Sequence, residues 1–141
     1  MADVVQVACP ACLTANRVPA ARAGEDPECG KCRAALLSGS PVELAEAQFD
    51  RFIGRTALPV IADFWAPWCG PCRAMAPHFE RAAERLKGRA RLVKVNTEEA
   101  PSLAARMGIR AIPTLVLFRD GAEVKRVSGA LDSAGLVEWA S

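Results

Sequence analysis

The chain has 141 residues, a formal net charge of +2, and 51% hydrophobic against 24% charged residues. That length holds one ordinary domain plus at most a small module, and the composition describes a globular chain able to bury a core. The charge is too small and too evenly mixed to favour nucleic acid or an anionic membrane as partner. No apolar run is long enough to span a bilayer, and Met1–Val7 lacks the basic and apolar regions of a secretory leader. These features predict a cytoplasmic protein, in a compartment where paired cysteines serve metal binding or catalysis rather than structural disulfides.

The six cysteines fall in three CxxC pairs. Cys9/Cys12 and Cys29/Cys32 lie in a segment punctuated by Gly24, Pro27 and Gly30, with little apolar periodicity. A segment of about forty residues cannot bury enough surface to fold alone, which predicts a staple. Sixteen residues separate the two pairs, within the spacing of zinc ribbons. Each CxxC makes a tight knuckle that offers two thiolates, and two knuckles complete a tetrahedron around one Zn²⁺. Four thiolates close the coordination sphere, so the metal is expected to be structural. Iron in a similar site and a pair of disulfides are the alternatives.

Ser38-Gly39-Ser40-Pro41 reads as a linker. The expected division is a zinc-ribbon-like module over 1–37, a linker over 38–41 and a second domain over 42–141. The pattern then alternates strands and helices. Val42–Leu44 is a short strand and Ala45–Ile53 a helix. Pro59–Phe64, almost wholly apolar, reads as a central strand buried on both faces. A long helix is predicted from about Cys69 to Lys87, with Pro71 tolerated in its first turn and Pro77 kinking it. Arg91–Val95 is a second central strand, and Glu98–Met107 a helix followed by Gly108. Asp120-Gly121 between Thr114–Arg119 and Ala122–Val127 signals a hairpin. Ser133–Ala140 is a final helix, capped by Asp132 or Ser133.

Trp68-Cys69-Gly70-Pro71-Cys72 stands where the central strand gives way to the long helix. A helix N-terminus offers unpaired N–H groups and a partial positive charge, both of which favour a thiolate. Two intervening residues let the sulfurs close a small ring, as a reversible two-electron couple needs. A static bridge or metal ligation are the alternatives. These residues resemble the active site of the thioredoxin family. With the four-cysteine extension in front, the arrangement over essentially the whole chain is similar to that family's bacterial thioredoxin 2 branch.

The resemblance implies an α/β thioredoxin fold, a mixed central sheet flanked by helices, with the small zinc-ribbon-like module at its N-terminus. It implies that Cys69 is an exposed nucleophile and Cys72 a buried resolving thiol. Asp63, an acid inside an apolar strand, matches the family's proton acceptor for the resolving cysteine, and Lys94 its tuning lysine. Ile112-Pro113 matches the cis-proline loop opposite the nucleophile; a trans proline opening a strand is the alternative. Trp68, Gly70, Pro71, Ile112, Pro113 and Gly129 would then line the substrate groove. Trp65 reads as core and His78 as surface.

The resulting expectation is a monomeric protein-disulfide reductase acting on oxidised cytosolic proteins. Thioredoxin reductase would recharge it, flavin and NADPH being bound by that partner, since the chain has no phosphate-binding glycine motif. Zinc in the Cys9, Cys12, Cys29, Cys32 site, with redox-sensitive release, completes the reading. The rival is a zinc-ribbon interaction module whose second domain is only a docking platform.

Overall fold

The computed structural model describes residues 3–141. Its main sheet has five strands in the order β3-β5-β4-β6-β7: β3 (Val42–Glu43), β4 (Val60–Trp65), β5 (Arg91–Asn96), β6 (Thr114–Arg119) and β7 (Ala122–Ser128). β3 and β4 run parallel to β5, whereas β6 runs antiparallel to both β4 and β7. The four helices are α1 (Glu46–Gly54), α2 (Gly70–Arg85), α3 (Pro101–Arg106) and α4 (Ser133–Ala140). This is the thioredoxin fold that the element pattern and the motif implied.

Alternation along β4 builds a core on each side of the sheet, because successive side chains point to opposite faces. Val60, Ala62 and Phe64 pack with Phe49 and Phe52 of α1 and Leu103 of α3. Phe49 anchors that side, its ring 6.0 Å from Phe64 and 5.7 Å from Phe118. Ile61 packs on the opposite face with Met75 and Phe79 of α2 and Leu136 of α4. Asp63 shares the strand parity of Ile61, which places it on the α2 side. Lys94 shares the parity of Leu92 on β5 and is the register partner of Asp63.

Several expected boundaries shift. α2 is continuous through Pro77, which is exposed. α3 starts at Pro101 rather than Glu98, since proline fits the first helical turn and Glu98 and Glu99 occupy the preceding turn. His78 is half-buried rather than a surface residue, because its Nδ1 accepts the Ser133 N–H at 3.3 Å where α4 begins. Asp132 caps α4, accepting the Gly135 N–H at 2.7 Å.

The N-terminal segment has more regular structure than its turn-rich sequence suggests. β1 (Val4–Ala8) and β2 (Ala15–Pro19) form an antiparallel hairpin with Val5 opposite Val18. The Cys9–Cys12 knuckle closes it, and the Cys29–Cys32 knuckle sits in a second turn bracketed by a Glu28–Ala35 bridge. Val7, Val18, Leu36 and Leu37 make a small core of their own.

This module is seated on the main domain. Leu13, the residue after the first knuckle, is 5% exposed and belongs to the same apolar cluster as Phe49 and Phe52. Its carbonyl accepts from Arg55 Nη1 at 2.7 Å, and the Gln6 carbonyl accepts the Ala57 N–H at 2.7 Å. The buried Thr56 hydroxyl accepts the Ala8 N–H at 3.2 Å and donates to the Phe52 carbonyl. Gly88, at φ +77°, lets the turn after α2 approach the Ala23–Gly24 backbone, where a Cβ would come within 3.0 Å. Segment 38–41 is held too: the Ser38 carbonyl accepts from Arg91 Nη1 at 3.0 Å.

Because Leu13 packs inside the main core, Leu13→Ala is expected to cost about 2–4 kcal/mol. All three tryptophans lie in residues 42–141, so their fluorescence during urea unfolding reports that part alone. The expected result is a lower midpoint for the tryptophan signal. An unchanged midpoint would mean that the module and domain unfold independently.

Candidate active site and metal centre

The strand-to-helix junction follows directly from sequence. β4 ends at Trp65, a short turn over Pro67 and Trp68 follows, and Pro71 fixes the backbone at the first turn of α2. Cys69 is the N-cap residue of α2, and its Sγ accepts the Cys72 N–H at 3.2 Å. Cys69 and Cys72 are disulfide-bonded, their Cα atoms 5.2 Å apart. Ala66, Trp65 and Ile112 pack around the pair.

Cys72 is buried as expected, at 3% exposure, but Cys69 is also covered, at 4%. The physical reason is local packing: the Cys69 sulfur is bonded to Cys72 and lies 3.8 Å from the Ile112 carbonyl oxygen, with Ala66, Trp65 and Ile112 around the pair.

The loop opposite carries the other expected residues. The Ile112–Pro113 peptide is cis, Pro113 is buried, and its carbonyl accepts the Gly129 N–H at 2.9 Å. Gly129 takes φ +108°, a conformation that side chains resist. Trp68 is 65% exposed and donates from Nε1 to Glu98 at 2.5 Å. Gly70 and Pro71 are exposed beside it. Trp65 is half-buried, and Lys94 Nζ stands 4.5 Å from its ring centroid.

Beneath α2, Asp63 is 1% exposed and its Oδ1 finds no hydrogen-bond partner among the described residues. Burial pushes its carboxyl up to about 7, against the opposing pull of the Lys94 charge. The sheet therefore holds an acid that exchanges a proton near neutrality on the side of α2, the helix that carries Cys72.

Family comparison fits this geometry. The family model described as Thioredoxin matches residues 40–141, and the one described as Thioredoxin 2, N-terminal matches residues 8–34. The chain belongs to the thioredoxin family. It is 44% identical over 133 residues to Thioredoxin C-3 of Corynebacterium nephridii, covering 94% of this chain and 91% of that one. Thioredoxin 1 of Synechococcus elongatus is 45% identical over 93 residues, 66% of this chain and 87% of its own. Among solved structures, a point mutant of a thioredoxin from Halobacterium salinarum aligns with a TM-score of 0.67 at 34% identity, over 75% of this chain and 92% of that one. Chloroplastic thioredoxin z aligns with a TM-score of 0.67 at 31% identity, over 72% and 91%. Membership in this thioredoxin family makes the chain a protein-disulfide reductase, and it implies dealings with a thioredoxin reductase and disulfide substrates in general. No helix among the described residues is long and apolar enough to cross a membrane.

The second centre is the four-cysteine cluster. The sulfurs of Cys9, Cys12, Cys29 and Cys32 all lie within 4.8 Å of one another. Cys9–Cys32 and Cys12–Cys29 are 3.5 and 3.7 Å apart, close to the ~3.8 Å edge of a tetrahedron with Zn–S bonds of about 2.3 Å. Cys9 Sγ accepts from the backbone N–H groups of Ala11 and Cys12, and Cys29 Sγ from those of Lys31 and Cys32. Asn16 Nδ2 adds a fifth donor, to Cys29 at 3.5 Å. Donors aimed at sulfur favour the thiolate. Both the donor set and its spacing are compatible with zinc.

Three contributions escape a reading of the sequence. Arg55 and Thr56 read as a polar loop, although they bind the module. The Asn16 side chain has no motif to mark it. The Thr114 hydroxyl lies 2.5 Å from the Ala111 carbonyl and 2.9 Å from the Ser128 hydroxyl, a contact that only strand register brings about.

The Asp63 carboxyl sets a pH dependence of stability. Its folded-state value, about 7, exceeds the ordinary 3.8, so the folded chain keeps a proton that the unfolded chain releases. Stability from this group therefore falls as pH rises from about 4 to 7 and then stays level, lowered by on the order of 4 kcal/mol. Asp63→Asn removes the penalty. Urea midpoints are expected to show the variant gaining on the parent across pH 4–7 and remaining more stable at pH 8. A gain independent of pH would contradict this origin.

Proposed function

We propose that Cys69 and Cys72 are the working dithiol and that the supporting residues act as the family resemblance implies. The observation that carries this reading is the sulfur of Cys69 at the N-cap of α2, within reach of both a backbone N–H and its partner thiol. In the reduced protein, Cys69 thiolate attacks one sulfur of a client disulfide, forming a mixed disulfide and releasing one client thiolate. Cys72 then gives its proton to Asp63 and attacks Cys69 Sγ. The Cys69–Cys72 bond forms, the mixed disulfide breaks, and the second client thiolate leaves. Two electrons have passed to the client, and the displaced thiolates take up protons.

Lys94 tunes Asp63 by its charge, and the acid's position near neutrality suits a group that accepts a proton and passes it on. Trp68, Gly70, Pro71, Ile112, Pro113 and Gly129 line the groove for an extended client segment. The clients are oxidised cytoplasmic proteins, and an NADPH-dependent thioredoxin reductase restores the dithiol of the monomeric chain. The proposed division is a module over 1–37, a connector over 38–41 and a catalytic domain over 42–141.

Zinc held by Cys9, Cys12, Cys29 and Cys32 is the proposed structural metal, released when those thiolates are oxidised. The module sits at the N-terminal end of β4, whose six residues span about 17 Å before the junction that carries Cys69. Release would therefore act through the seating of Leu13 on α1 rather than by covering the redox pair.

The decisive assay is reduction of insulin disulfides with thioredoxin reductase and NADPH, run with zinc and after chelation. Activity is expected in both arms and is lost in Cys69→Ser. Cys72→Ser is expected to trap mixed disulfides with client proteins, and its failure to trap any would favour a docking platform instead. For the metal, mass spectrometry under mild peroxide is expected to show modified Cys9, Cys12, Cys29 or Cys32 together with metal loss. Unmodified cysteines with metal retained would rule out redox-sensitive release.

A further inference from the structure

Thr114 follows the cis Ile112–Pro113 peptide and opens β6, while Ser128 closes β7 as its register partner. The Thr114 side chain is buried, and its Oγ1 has two polar neighbours: the Ala111 carbonyl at 2.5 Å and Ser128 Oγ at 2.9 Å. A threonine hydroxyl owns one proton, and a carbonyl oxygen only accepts. The Thr114 proton therefore points to Ala111, which leaves Ser128 as donor across the second contact. The chain of bonds has one direction, from Ser128 Oγ–H to Thr114 Oγ1, and from Thr114 Oγ1–H to the Ala111 carbonyl.

This chain ends on the segment that faces the redox pair. Ala111 precedes Ile112, whose carbonyl oxygen lies 3.8 Å from Cys69 Sγ. The residue after Ser128 holds the same segment from the other side, through the Gly129 N–H on the Pro113 carbonyl at 2.9 Å. The loop 111–113 is thus fixed at both ends by Ser128, the last residue of β7, and Gly129 after it. Ser128 itself is exposed and belongs to neither the dithiol nor the groove residues proposed above.

We infer that Ser128 is a positioning residue: through the Thr114 hydroxyl it sets the Ala111–Pro113 loop in the geometry that receives a client polypeptide beside Cys69. The inference rests on the Cys69/Cys72 reading and adds to it the element that fixes the client-binding loop. Without the Ser128 donor, Thr114 keeps its single proton but loses the bond that orients it. The loop then has one restraint fewer, and an extended client must order it on binding. A small disulfide that does not lie along the loop meets no such demand.

The test compares Ser128→Ala, Ser128→Thr and Thr114→Val with the parent, using insulin and a small aromatic disulfide as alternative substrates. Ser128→Ala is expected to raise KM for insulin roughly three- to tenfold, the effect of one hydrogen bond, with kcat nearly unchanged. Ser128→Thr restores the hydroxyl and is expected to restore KM. The rate with the small disulfide stays at the parental value in both variants. The effects of Ser128→Ala and Thr114→Val are expected to be non-additive in the double variant, because both break one chain of bonds. A parental KM in Ser128→Ala, a threonine variant that rescues nothing, or additive effects would each overturn the inference. Equal losses on both substrates would do so too, since they indicate general damage to the fold. Failure of the parent on both substrates would instead reject the dithiol reading, so the two failures are distinct.

Discussion

The contact on which the proposed redox chemistry depends is the one between Cys69 Sγ and the N–H of Cys72. It exists because a buried strand ends just before a helix begins, with a cysteine in the capping position normally held by Ser, Asp or Asn. A hydroxyl or carboxylate there would satisfy the same orphan N–H groups without carrying electrons. A sulfur does both, since an N–H aimed at it and the positive end of a sixteen-residue helix lower the cost of its negative charge. The rest of the domain keeps that junction in place. β4 is held between β5 and β6, and α2 is fastened through Met75 and Phe79 to one side of the sheet.

The buried acid follows from the same frame. Asp63 lies in a strand whose other buried residues are apolar, with Lys94 as its register partner on β5. Its retention costs stability whenever it is ionised, and Lys94 recovers only part of that cost from the adjacent strand. A chain shaped by stability alone has no use for such a group. Its place on the α2 side of the sheet accords with the proton acceptor proposed above.

The reading of the sequence succeeded where one residue pattern admits one geometry. The apolar run before Asp63 is buried as a central strand, and Asp120-Gly121 turns the last hairpin with both residues at positive φ. Local spacing also marked both knuckles of the four-cysteine cluster, since two cysteines three apart are brought together by the backbone alone. It missed what depends on register or docking. β1 and β2 are short and abut cysteines and turn formers, so their alternation of valines is too brief to stand out. Thr56 resembles any loop threonine until Ala8 is placed against it. Cys69 is less exposed than expected because Ala66, Trp65 and Ile112 pack around the bonded pair, contacts that only the folded chain brings together.

The two cysteine knuckles are near copies of each other. In each, the residue after the second cysteine adopts a left-handed conformation, Leu13 at φ +65° and Arg33 at φ +69°, and returns its N–H to the first cysteine at 2.9 Å. Their environments differ completely. Leu13 is plugged into the hydrophobic interior, whereas the Arg33 side chain is 81% accessible and reaches only Glu28. An ion or oxidant approaching the cluster from solvent would therefore meet the second knuckle first, where Cys32 is the one exposed cysteine of the four.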